Sequence, residues 1–400
     1  MFIFYDESIL SYVSSIRDYF GLSSSYKPNR KFQELLKKEK PNKVFLILID
    51  GMGANTIEKH LDKESFLRRN MMYKVQTVFP TTTTAALTAI QNGKAPNENA
   101  WLAWNEYIKE IDDYIIPFQN KGFYTEKKYE NGFMQKYIPI RTTVEDLLSK
   151  GIDASNILPN FDDESRHTII IPYFKKKSSL DEFCDRILDN DANSPDKYIF
   201  CYYDTLDHVM HDEGPSSEKS IELLKRINDS LENVSRKISK DTMLVIVADH
   251  GQIEVGDTIV LSGTKYDEYM ERKVSLDPRA VGFYIKDKYK EVFEKEFVSD
   301  FENDFILLNK QQVLDTKLFG YNENHPKFID LIPDYVAVGK TNKIMFSIAQ
   351  KNNYKGHHTG INDDEVYVPV IVFKKWVLTH FFKFSWIDLH LTQILLHRRH

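Results

Sequence analysis

Lys43-Val-Phe-Leu-Ile-Leu-Ile-Asp50-Gly51 is an unbroken apolar run that ends in an acid and a glycine. A half-buried strand alternates apolar and polar residues. A run with no alternation fits a strand covered on both faces, as in a parallel sheet between two helical layers. Met243-Leu-Val-Ile-Val-Ala248 has the same character and runs into Asp249-His250-Gly251. Tyr198-Ile-Phe-Cys-Tyr-Tyr203, His167-Thr-Ile-Ile-Ile-Pro172 and Val366-Tyr-Val-Pro-Val-Ile-Val-Phe373 complete the set of expected strands. Helical patterns separate them at Thr143–Lys150, Ser179–Leu188 and Ser216–Ile238. Strands alternating with helices imply βαβ units and a mostly parallel central sheet.

Residues 1–40 read as helices with a basic connector from Lys27 to Lys40. Residues 256–355 are of mixed pattern and read as an inserted α+β cap subdomain. The expected division is a discontinuous core of residues 1–255 and 356–375, the insert, and a His-rich tail at 376–400.

In open α/β sheets ligands bind at the carboxyl ends of the strands. Asp50 and Asp249 stand at two such ends, with His250 adjoining the second. Asp207 and His211 follow the Tyr198–Tyr203 strand at a spacing of four, which puts both on one helix face. His358 lies in Gly356-His-His-Thr-Gly360, just before the last strand. Taken singly, each piece is ordinary: a strand-to-loop turn, a helix cap, a solvated helix face, a surface pair of His357 and His358. Together they place carboxylate and imidazole donors at several sheet ends, and such donors suit zinc or manganese. Phe79-Pro80 followed by Thr81, Thr82, Thr83 and Thr84 reads as a helix start, with Gly93 as its stop. A hydroxyl there sits among free backbone N–H groups that favour a phosphate.

The net charge of −6 argues against nucleic acid held through its phosphates. It leaves a small phosphorylated substrate open, because bound cations bring their own charge. Two cysteines, Cys184 and Cys201, build no disulfide framework. No basic n-region precedes an apolar stretch at the start, and no run reaches the ~18 apolar residues of a membrane span. The default expectation is a cytoplasmic protein that does not engage membranes.

Ile49-Asp50-Gly51, the Phe79–Thr88 segment, Asp207-x-x-x-His211-x-x-Gly214-Pro215, Asp249-His250-Gly251 and His358 fall in one order. In that order the chain resembles the type I phosphodiesterase/nucleotide pyrophosphatase family of the alkaline phosphatase superfamily, over about residues 42–373. The resemblance implies an alkaline-phosphatase-like three-layer αβα sandwich. It also implies a phosphoric ester hydrolase, acting on a small phosphorylated substrate such as a nucleotide. Two divalent metal ions, zinc or manganese, would be held by Asp207, His211 and His358, and by Asp50, Asp249 and His250 with the nucleophile. Counting back from Gly93 as the family does, the nucleophile is Thr83, with Thr82 and Thr84 its nearest rivals. It would pass through a phosphothreonine intermediate.

Two departures bear on substrate. The family's better-known members carry an asparagine three residues after the nucleophile, where this chain has Ala86. Their His-Gly after the nucleophile helix is Asn99-Ala100 here. Asn105 or backbone N–H groups would take over charge stabilisation, and Trp101, Trp104 and Tyr107 are candidates to line the pocket. A monoesterase or phosphonate hydrolase on the same scaffold is the alternative. A non-catalytic binding protein is a more distant one.

Overall fold

The computed structural model describes residues 3–158, 179–349 and 353–375. The expected strand at His167–Pro172 and the tail 376–400 lie outside the described residues. The apolar runs form a six-stranded sheet of β1 (Lys43–Ile49), β2 (Met71–Gln76), β3 (Ala154–Ile157), β4 (Tyr198–Tyr203), β5 (Thr242–Val247) and β6 (Tyr367–Lys374). Their order is β2-β6-β5-β1-β4-β3. β1 pairs in parallel with β4 and β5, and β3 with β4. β6 alone is antiparallel to its neighbours, β5 and β2. Pro369 falls in the part of β6 that pairs only with β2, where its missing N–H leaves no ladder bond to β5 unmade.

Both faces of the central strands are covered: every residue of β4 and β5, and all of β1 except Lys43, is buried. Full burial of an aliphatic or aromatic side chain contributes about 1.5–3 kcal/mol, so these strands are a main source of stability. Ile49 pairs with Tyr203 and Leu48 with Val247, which brings the residues after all three strands to one edge.

The basic stretch differs from expectation. Arg30–Glu39 is a helix, capped by Asn29, whose side chain accepts the N–H of Phe32. Phe32 and Leu36, four apart, are fully buried, and Tyr12 lies against Phe32. The charged residues occupy the outer face, so composition concealed an amphipathic helix.

Within 256–355 an antiparallel sheet of Met270–Asp277, Ala280–Ile285, Tyr335–Gly339 and Phe305–Asn309 carries the helix Lys290–Phe301. Phe293 and Phe297 of that helix pack on Phe283, in an apolar cluster separate from that of the central sheet. A small sheet from an earlier stretch, Glu106–Ile108, Asp113–Ile116 and Lys121–Gly122, abuts this antiparallel sheet through a backbone bridge between Asn105 and Leu276. No helix among the described residues is long and apolar enough to cross a membrane.

Candidate active site

Asp50 leaves β1 directly and turns at Gly51, whose φ is +72°. A Cβ at Gly51 would lie 3.1 Å from Cα of Asp207, so glycine lets the two acid-bearing segments approach. Asp249 follows β5, and its Oδ1 accepts the backbone N–H groups of Gly51 (3.1 Å) and His250 (3.0 Å). Its Oδ2 and Asp50 Oδ1 are buried and have no hydrogen-bond partner among the described residues. Tyr202, the penultimate residue of β4, donates its hydroxyl to the other oxygen of Asp50.

Asp207 and His211 share a face of the helix Thr205–Glu213, with Asp207 Oδ2 3.4 Å from His211 Nε2. Gln252 donates to Asp207 Oδ1 at 2.5 Å. His358 stands 3.2 Å from His211 between Nε2 atoms, and 3.9 Å from Asp207 Oδ1. The second group is as close: His250 Nε2 is 3.5 Å from Asp50 Oδ1 and 3.4 Å from Asp249 Oδ2. The His250 and His358 rings stack at 3.7 Å and join the two groups.

Thr83 opens the helix Thr83–Asn92, which Gly93 closes in the left-handed conformation. Its hydroxyl lies 3.2 Å from His250 Nε2. The neighbouring threonines differ. Thr81 binds the His358 loop, donating to the Gly360 carbonyl at 3.1 Å and accepting the Thr359 N–H at 3.0 Å. The Thr84 hydroxyl is buried without a partner. All seven residues expected at the site therefore meet in one cluster.

The electrostatics of the bare cluster are strained. Burial pushes the Asp50 carboxyl well above its usual range, and Asp249 and Asp207 add to the rise. Burial also raises Asp249, against the pull of His250. For Asp207, burial is outweighed by His211, His250 and His208, and the carboxyl falls below its usual range. Burial and neighbouring imidazoles hold His358 well below the ordinary histidine range. Three packed carboxylates with two unmatched oxygens are what a cation would resolve. Three His/Asp groups have ligand atoms within 4.8 Å of one another, among them Asp50, Asp249 and His250.

The cluster floors a cleft of about 390 Å³. Trp104 and Asn105 line it. Asn105 spends one amide hydrogen on the Leu276 carbonyl at 2.6 Å. Trp101 does not line it: the ring is fully buried and its Nε1 donates to the Ile138 carbonyl at 3.1 Å. Tyr107 is also turned away, stacked under the Arg272 guanidinium at 4.4 Å. Much of the remaining wall comes from residues 274–346, including Ser275, Asp277 and Phe346. Asp277 accepts the Trp104 N–H at 3.1 Å, and burial lifts its carboxyl to about 7.

Glu106 anchors the Trp104 loop by accepting the N–H groups of Leu102 (2.7 Å) and Ala103 (3.3 Å) on Oε1, while Oε2 has no partner among the described residues. Burial raises its carboxyl to about 8, so the folded protein keeps a proton that the unfolded chain gives up in the ordinary carboxylate range. Between those two values the folded state binds more protons, and its stability falls as pH rises. Glu106→Gln keeps the accepting oxygen and removes the titration. Chemical denaturation across that interval is expected to show a shallower loss of stability in the variant; equal slopes would contradict this.

An α/β core thus gathers carboxylates and imidazoles at its strand ends, beside a hydroxyl at a helix start. The chain matches the type I phosphodiesterase / nucleotide pyrophosphatase family over residues 44–361 and belongs to it. No curated protein matches the chain. Murine ectonucleotide pyrophosphatase / phosphodiesterase 5 has a similar structure, with TM-score 0.64 and 16% identity over 82% of this chain and 87% of that one. So does phosphonoacetate hydrolase from Sinorhizobium meliloti 1021, solved with phosphonoformate, with TM-score 0.63 and 13% identity over 85% and 92%. At such identities the likeness is one of fold.

Proposed function

We propose that this protein is a phosphodiesterase or nucleotide pyrophosphatase that uses Thr83 as nucleophile and two divalent cations. The observation that carries this reading is the Thr83 hydroxyl, 3.2 Å from His250 in the group where Asp50 and Asp249 each bury an unpartnered oxygen. Asp50, Asp249, His250 and Thr83 would hold one cation, and Asp207, His211 and His358 the other. Carboxylates with imidazoles suit zinc or manganese. When bound, such ions supply positive charge that lowers the pKa of the threonine hydroxyl and offsets the charge on the phosphoryl group.

The chain's own groups do the rest. Tyr202 orients Asp50, the N–H groups of Gly51 and His250 orient Asp249, and Gln252 orients Asp207. Thr83 Oγ1 attacks phosphorus and the ester or anhydride oxygen departs. Water then cleaves the phosphothreonine and restores the hydroxyl. The free N–H groups at the start of the Thr83–Asn92 helix face the phosphoryl oxygens and compensate for Ala86. Trp104 and Asn105 meet the rest of the substrate from the wall. A related murine structure, an inactive threonine-to-alanine form in complex with AMP, supports a nucleotide substrate.

A phosphonate substrate is the second reading, favoured by the likeness to phosphonoacetate hydrolase. A panel of bis-p-nitrophenyl phosphate, p-nitrophenyl phosphate, a nucleoside 5′-ester and phosphonoacetate, each with zinc and with manganese, separates them. Diester or nucleotide turnover is expected to lead. Turnover of phosphonoacetate alone would move the assignment to phosphonate hydrolysis, and p-nitrophenyl phosphate as best substrate to a monoesterase. No turnover with either metal would end the proposal.

A further inference from the structure

Besides His208, which bears on Asp207 from the same helix, four histidines among the described residues reach the cluster, and the two proposed cation sites use three. The fourth, His357, is not on the surface: it is only 6% exposed and pairs in register with Ile253 in a short antiparallel bridge. Its neighbour Gly356 passes so close to the helix Thr205–Glu213 that a Cβ there would lie 2.3 Å from the Met210 carbonyl. The backbone that carries the ring is therefore fixed on both sides.

We infer that His357 is an additional ligand at the Asp207/His211/His358 site, binding the cation through Nε2; the inference rests on the two-cation reading. The first ground is a shared arrangement. His211 Nδ1 faces the Gly356 carbonyl at 2.8 Å, His358 Nδ1 the Thr81 carbonyl at 2.8 Å, and His250 Nδ1 the Gly251 carbonyl at 3.2 Å. His357 Nδ1 faces the His358 carbonyl at 2.9 Å. An imidazole that donates Nδ1–H to a carbonyl presents a lone pair on Nε2, the usual state of a metal-bound histidine. In the other tautomer Nδ1 accepts the His358 N–H, also at 2.9 Å, and Nε2 carries a proton. A cation nearby disfavours that form.

The second ground is position. His357 offers a ring nitrogen within 4.8 Å of those of His211 and His358. His357 lines the cleft together with both of them. A site of one carboxylate and three imidazoles is rich in nitrogen, and imidazole ligands favour zinc over manganese. The competing role is packing, because the ring meets Tyr354 edge-on at 5.1 Å.

His357→Asn separates the two. The asparagine amide sits where Cγ and Nδ1 of the ring sit, so it keeps the contact with the His358 backbone and loses only the outer nitrogen. Tyr354→Leu removes the ring that packs edge-on against His357, and against His211 at 5.5 Å, and no ligand, and His357→Ala serves should the asparagine variant not fold. Full-length protein is stripped of metal and titrated with zinc against a chromophoric chelator, and its cobalt(II) form is examined by visible absorption. The wild type is expected to bind two zinc ions. The His357 variant should bind two, one of them about 10–100-fold more weakly, with an altered cobalt spectrum, and Tyr354→Leu should match wild type. Two zinc ions with unchanged affinities and spectrum in the His357 variant would overturn the inference and leave the two-cation reading intact. Equal weakening by Tyr354→Leu would overturn it in favour of packing. A wild-type protein that binds no zinc would remove both.

Discussion

Thr83→Ala is expected to lower turnover of the best substrate by about 10⁴-fold or more, while metal content and stability stay close to wild type. Removing a nucleophile costs roughly that much or more even where the rest of the site persists. The hydroxyl is nearly buried at a helix start, and the Thr82 backbone caps the helix without a side-chain bond, so little structure depends on it. The alanine variant also separates Thr83 from its neighbours. Thr81 holds the His358 loop, so Thr81→Ala should loosen that loop and reduce metal binding along with rate. Steady-state rates and metal analysis on the two variants decide the matter. If Thr83→Ala kept more than about a hundredth of the wild-type rate, another group would be the nucleophile.

Arg279→Ala is expected to cost about 3–5 kcal/mol of folding stability. Arg279 and Glu365 are fully buried and joined twice, Nε to Oε1 and Nη2 to Oε2, each at 2.7 Å. Glu365 also accepts the N–H of Gly360 at 2.8 Å and of Asn362 at 3.1 Å, and the Arg279 N–H donates to Thr359 Oγ1 at 3.1 Å. The pair thus fastens the turn between Met270–Asp277 and Ala280–Ile285 to the loop that carries His358. Truncating one partner strands a charge in a dry interior, whereas replacing both with apolar residues of similar volume removes the problem. Urea unfolding should place Arg279→Met with Glu365→Leu nearer to wild type than either single change. A single change that cost under about 1 kcal/mol would show that water reaches the pair.

The strand ends were legible because their signal is local. An unbroken apolar run followed by acid and glycine marks both a covered strand and the edge where ligands collect, and Asp50 and Asp249 were found that way. The four-residue spacing of Asp207 and His211 was equally local. What escaped is what contact alone defines. Tyr202 reaches Asp50, Arg279 reaches Glu365 and Asp277 reaches Trp104 across 152, 86 and 173 residues of chain. No periodicity records such meetings. Trp101 and Tyr107 were misplaced for a related reason. Sequence proximity to the site says nothing about which way a ring turns, and the chain turns with positive φ at Ala100, just before Trp101, and at Asp112, after Tyr107.

The orientation of β6 decides whether this site exists at all. His358 precedes β6, while Asp50, Asp207 and Asp249 follow β1, β4 and β5. A strand running with its neighbours begins at the edge opposite to the one where they finish. Had β6 done so, its eight residues, at ~3.3 Å each, would have carried the histidine about 25 Å from the acids. One reversed strand lets a residue from the beginning of its own element convene with residues from the endings of three others.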